Sequence, residues 1–152
     1  MNLINGFCLA VGILNGVQVL VVDNDRDSRD LYAFLLKDLS ANVITAGSVK
    51  EALEILSCFT PDIVVCEIRF LGESIYTLLN KLTAMEADNG NHIPVIVTST
   101  STRGTYDQIP DVEFEDYLLK PCDLDKFVSM LMKQVQKGVA ENLCPNLVVL
   151  HK

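Results

Sequence analysis

The stretch PDIVVCEIRFLG, Pro61 to Gly72, decides how this chain folds. Pro61 and Asp62 read as a turn. Ile63 to Cys66 is an unbroken apolar run, the pattern of a strand covered on both faces. Glu67 follows at the point where the strand runs out. The same grammar recurs elsewhere. VQVLVVDND, from Val17, ends in Asp23 and Asn24; PVIVTST, from Pro94, ends in hydroxyls; DYLLKP, from Asp116, ends in Lys120 and Pro121.

Between these runs lie helical patterns. Leu31, Phe34, Leu35 and Leu39 recur at helical spacing over Ser28 to Leu39, with Asp25 or Asp27 placed to cap the helix. NVITAG at 42–47 is a short strand, and SVKE at 48–51 is a capping box opening a helix that buries Val49, Leu53 and Leu56. Ile75, Leu78, Leu79, Leu82 and Met85 form one apolar stripe. Asp123 is placed to cap a last helix that buries Leu124, Phe127, Val128, Leu131, Met132 and Val135, with Gly138 to close it. Strands alternating with helices predict an α/β fold around a parallel sheet with right-handed crossovers. One crossover is weak. Ser101 to Glu115 contains Gly104 and Pro110, so a short or distorted helix is expected there.

Length and composition bound the rest. A chain of 152 residues, 49% hydrophobic and 21% charged, suits one domain with a real core. A net charge of -8 disfavours nucleic acid and anionic membranes as partners. The five cysteines are odd in number and not closely paired, which argues against a disulfide framework or a zinc site; Cys58 and Cys66 are expected to be small buried residues. The apolar N-terminus has no positive n-region, and Gly12 breaks its run. It is expected to be a strand or linker packing on the domain or on a partner, not a signal peptide.

Open parallel α/β sheets bind ligands outside the carboxyl ends of their strands. Asp23, Glu67, Ser99 and Lys120 all stand at such ends. Two acids beside a hydroxyl and a lysine suit a metal, a phosphoryl group or both. Residues 18 to about 137 resemble the receiver domain of two-component response regulators, through VLVVDND, PDIVVCEIRFLG, PVIVTST and DYLLKP in that order. The resemblance implies a flavodoxin-like, doubly wound, five-stranded parallel sheet with strand order 2-1-3-4-5. It divides the chain into an apolar extension at 1–16, a receiver at 17–138 and a tail at 139–152.

Carried over by position, the resemblance puts Glu67 where the phospho-accepting aspartate belongs and Asp23 with Asn24 on the acidic pair. Ser99, with Thr98 as a one-residue alternative, falls on the switch hydroxyl. Tyr117 falls on the switch aromatic, and Lys120 and Pro121 on the phosphate-pairing lysine and its proline. Cys122 is expected to be an ordinary helix-start residue. Leu71 and Ile75 replace a usual proline and a small glycine.

Two departures change the chemistry. Asn24 keeps an oxygen but loses a charge worth about 4 kcal/mol at ~4 Å and an effective dielectric near 20. Glu67 reaches roughly 1.5 Å further than aspartate, and an ångström of misplacement costs ~100-fold in attack. The expectation is a pseudo-receiver. It would have no cofactor beyond weakly bound Mg²⁺, and vestigial metal ligands in Asp23, Asn24 and Glu67. It would show at most weak self-phosphorylation.

Such a protein would be cytoplasmic, would carry no output domain of its own, and would act on a histidine kinase or a downstream effector. It would be a monomer or weak homodimer and would bind neither nucleic acid nor membrane. An ordinary receiver phosphorylated by a histidine kinase is the second reading. A small α/β phosphatase or hydrolase is the third, and it lacks both a G-x-S-x-G elbow and a P-loop.

Overall fold

Apolar runs that do not alternate must bury both faces of their strands, and this requirement sets the architecture. A computed structural model describes residues 12, 14–67, 74–99, 116–119 and 124–143. Its elements are β1 (Gln18–Val22), α1 (Arg26–Asp38), β2 (Asn42–Ala46), α2 (Val49–Leu56), β3 (Ile63–Glu67), α3 (Ile75–Asn89), β4 (Val95–Ser99), β5 (Asp116–Leu119) and α4 (Leu124–Leu143). The strands form one sheet in the order β2-β1-β3-β4-β5, and every neighbouring pair is parallel. This is the predicted flavodoxin-like arrangement.

Side chains alternate along each strand, so each central strand serves two cores. Leu20, Val22, Val64, Cys66, Val95 and Val97 face α2 and α3, meeting Val49, Ala52, Leu56, Leu78 and Leu82. Val19, Val21, Val65 and Ile96 face the other way, meeting Tyr32, Leu35 and Leu36 of α1 and Phe127 and Leu131 of α4. Leu14, ahead of β1, is fully buried in this second core, and its N–H bonds the Leu39 carbonyl. Among the described residues no helix is long and apolar enough to cross a membrane.

Several local expectations need correction. The stripe that α1 buries is Tyr32, Leu35 and Leu36, continued by Leu39 past the helix end. Leu31 and Phe34 instead stand 45% and 74% exposed. Both stripes have helical spacing, and the tilted ring contact of Tyr32 with Phe127, at 4.9 Å, accompanies the one that is buried. In α2 it is Ala52 that is fully buried, while Leu53 packs at the margin.

Cys66 is buried as expected, but Cys58 is exposed, because it falls in the turn after α2 has ended. The last helix runs on through Gly138 to Leu143. A single interior glycine costs about 1 kcal/mol, which good helix formers around it offset. Asp123 and the crossover at 101–115 lie outside the described residues.

The helix ends follow their caps. Asp25 caps α1 by accepting the Ser28 N–H, Ser48 caps α2 by accepting from Glu51, and Ser74 caps α3 by accepting from Tyr76. At the carboxyl end of α3, Gly90 takes the left-handed conformation at φ 75° without a Cβ penalty. After α1 that conformation falls on Ser40, at φ 74°. An L side chain is strained there. Ser40→Gly is therefore expected to raise stability by about 0.5–1 kcal/mol, read as a higher urea midpoint at unchanged m-value.

Candidate functional site

The site lies at the carboxyl ends of β1, β3 and β4. Val22 pairs with Cys66 and Glu67 pairs with Thr98, so Asp23 and Glu67 leave adjacent strands at the same height. Strands lie about 4.8 Å apart, so the two acids are neighbours. Both are buried, at 1% and 5% exposure. Asn24, the other member of the expected acidic pair, is exposed.

Three polar atoms of Asp23 have defined partners. Its N–H donates to the Ala46 carbonyl at 3.0 Å, carrying the β1–β2 pairing one residue past the strand. Its Oδ1 accepts the Asp25 N–H at 2.8 Å, which turns the chain into α1. Its carbonyl accepts from Arg29 Nη1 at 2.8 Å. Asp25 is committed to the helix start, where Oδ2 accepts from both the N–H and the hydroxyl of Ser28, at 3.2 and 2.7 Å. This settles the choice between Asp25 and Asp27 for the cap. The capping box at α2 is also present in a shifted form: Glu51 N–H donates to Ser48 Oγ, while Glu51 Oε2 reaches back to the Gly47 N–H.

Arg29 is the residue that sequence reading missed. Its guanidinium lies over Gly47, where an added Cβ would sit 3.0 Å from Nη1. An arginine in the first turns of a helix opposes the dipole there, so it needs a specific acceptor. That mismatch was the available signal. The consequence is a positive charge held on the backbone carbonyl of Asp23.

On β4, Thr98 is fully buried and its hydroxyl has no hydrogen-bond partner in the structure. Ser99 closes β4, and Tyr117 lies in β5 paired with Val97; both are placed by their backbone. Lys120, Pro121 and Cys122 lie outside the described residues. Among the described residues, no group of three or more His, Cys, Asp or Glu side chains is arranged to hold a metal ion.

Comparisons with known proteins agree with this topology. A family model described as the response regulator receiver domain matches residues 19–132. An uncharacterized 14.6 kDa protein of Leptolyngbya boryana is 33% identical over 108 residues, covering 70% of this chain and 81% of that protein. The Regulator of RpoS of Escherichia coli is 31% identical over 120 residues, and the match spans 78% of this chain but only 34% of that protein. Among solved structures, a response regulator receiver protein from Pseudomonas putida superimposes with a TM-score of 0.66 at 26% identity, covering 77% of this chain and 96% of its own. With its sheet order, its strand-end acids and a family match over most of its length, this chain belongs to the response regulator receiver domains of two-component signalling.

Proposed function

We propose that this receiver signals through protein contacts without a phosphorylation cycle. The observation that carries the reading is the acid pocket itself: a buried Glu67 beside a buried Asp23, with Asn24 turned to solvent. A receiver that accepts a phosphoryl group needs Mg²⁺, and this donor set fits that ion poorly. Mg²⁺ demands near-ideal octahedral oxygen ligands and gives up its waters reluctantly. Here one acid of the pair is a neutral amide, Asp23 Oδ1 already accepts an N–H, and the Arg29 guanidinium sits on the Asp23 carbonyl. Each lowers the attraction for a divalent cation.

Glu67 adds a geometric argument. The extra methylene, roughly 1.5 Å, carries its carboxylate into the space a phosphoryl group would occupy. In that position it supplies one negative charge against the ~1.5–2 of a phosphate, a partial mimic of the modified state. On this reading Ser99 and Tyr117 keep the roles of switch hydroxyl and switch aromatic, and Lys120 with Pro121 those of the phosphate-pairing lysine and its proline. Output by contact is supported by the exposed apolar pair Leu31 and Phe34, since exposed aromatic and aliphatic side chains on one helix favour protein partners. Those partners are signalling proteins, a histidine kinase or a downstream effector, and the setting is the cytoplasm.

The test is intact mass after incubation with acetyl phosphate and Mg²⁺. The expected spectrum shows only the unmodified chain. A stoichiometric phosphoryl adduct that disappears in Glu67→Gln would sink the proposal and restore the ordinary phosphotransfer reading.

A further inference from the structure

At the opposite end of the sheet lies a cleft of about 330 Å³ that plays no part in the acid pocket. Val17 leads into β1, Asp62 and Ile63 open β3, and Pro94 precedes β4, so the cleft sits at the amino ends of the strands. The acid pocket is six residues further along β1, roughly 20 Å away at about 3.3 Å per residue. The volume falls at the lower end of small-molecule sites.

The walls are held by separate tethers. On one side, Leu14 anchors a turn into the core; Val17 N–H donates to the Leu14 carbonyl at 2.9 Å, and Gly16 takes φ 79°. On another, Glu86 Oε1 accepts the Ile93 N–H at 3.0 Å and lies 3.2 Å from His92 Nδ1, which fixes the loop before β4. Gln134 and Val135 of α4 close the third side. Asp62 is set by two bonds: its N–H donates to the Gln18 carbonyl at 2.7 Å and its Oδ2 accepts the Gln18 N–H at 2.8 Å. A site formed before its ligand arrives spares the ordering entropy that binding otherwise costs.

The lining chooses the ligand. Val17, Ile63, Pro94 and Val135 give apolar surface. Asp62 gives a negative charge, and a carboxylate accepts more hydrogen bonds than the one from Gln18. Among the described residues that line the cleft there is no lysine or arginine. His92 lines the cleft as well, but its Nδ1 already lies 3.2 Å from Glu86 Oε1, so among the described lining residues the charge on offer to a ligand is the Asp62 carboxylate, in a chain that is already strongly acidic. A flat cation finds both an apolar wall and an acceptor.

We infer that this cleft is an effector site for a small planar cation, an amidine, guanidine or protonated aminoheterocycle, that pairs with Asp62 and lies against Val17, Ile63 and Pro94. The inference does not depend on the state of Glu67. Binding joins the turn before β1, the start of β3, the loop before β4 and α4 in one contact.

Benzamidine is the probe, with benzoate as its anionic counterpart, both titrated into the full chain and followed by amide chemical shifts. Benzamidine is expected to shift Gly16, Val17, Asp62, Ile63 and His92, with a Kd on the order of 1 mM for so small a ligand. Asp62→Asn keeps an oxygen to accept the Gln18 N–H and is expected to weaken binding about tenfold, the usual loss for a charged hydrogen bond. The unchanged spectrum of that variant away from the cleft controls for folding. Equal binding of benzoate, shifts confined to other surfaces, no shifts at saturating benzamidine, or an Asp62→Asn variant that binds as before would each overturn the assignment.

Discussion

Combining Asn24→Asp with Glu67→Asp is expected to create a firm Mg²⁺ site, if the native pocket lacks the charge and reach for one as proposed. The metal-free double variant should be less stable than the native chain, because a carboxylate at position 24 would stand between Asp23 and the cap Asp25 without the neutrality of the amide. Added Mg²⁺ should more than reverse that loss. At a hundred times its Kd, a ligand that binds only the folded state adds about 2.7 kcal/mol, which for a domain of this size is on the order of 5–10 °C in Tm. The native chain should show little Mg²⁺-dependent shift. With the shorter acid in place, acetyl phosphate should also leave a phosphoryl adduct on the double variant. Each single change should do less than half of this, since Asn24→Asp leaves the reach of Glu67 and Glu67→Asp leaves the missing charge. A native chain whose melting already climbs by several degrees in millimolar Mg²⁺ would contradict the reading of the pocket. A double variant that stays indifferent to the ion would show that Arg29, fixed on the Asp23 carbonyl, or the orphaned hydroxyl of Thr98 governs the site more than the two acids do.

The parts of this molecule that were legible in its sequence are those fixed by short-range rules. Val19 to Val22 and Ile63 to Cys66 do not alternate, so they had to be covered on both sides, and they are. Ser48 three residues before Glu51 announced the start of α2. The acids Asp23 and Glu67 could be placed at strand ends because the apolar runs stop there. What escaped depends on distant partners. Nothing near Tyr32 says that it will meet Phe127, more than ninety residues on, so Leu31 and Phe34 looked equally fit to face the core. The seat of Arg29 needs Gly47, which reaches it only through the β1–β2 pairing. Cys58 looked apolar enough to bury, but the end of α2 at Leu56 left it in a turn.

Phe127→Ala should be the most damaging single change in the described core. The ring is fully buried in the layer between α1, α4 and the sheet, where it contacts Tyr32 at a centroid distance of 4.9 Å and a tilt of 37°. Truncating a buried phenylalanine removes its transfer energy and leaves a cavity, about 3–5 kcal/mol in all. Domains hold only about 5–15 kcal/mol in reserve, so the variant should melt roughly 10 °C lower and unfold at markedly less urea. Phe34→Ala is the matched comparison, because its ring is 74% exposed and its loss should change stability by no more than about 0.5 kcal/mol. The contrast separates the two candidate stripes of α1. If Phe34→Ala proves the costlier substitution, the helix is turned by one residue from the orientation described, Leu31 and Phe34 belong to the core, and the apolar pair offered to signalling partners does not exist. If Phe127→Ala is the costlier, α4 is clamped to α1 through Tyr32 and the exposed pair remains available for contact.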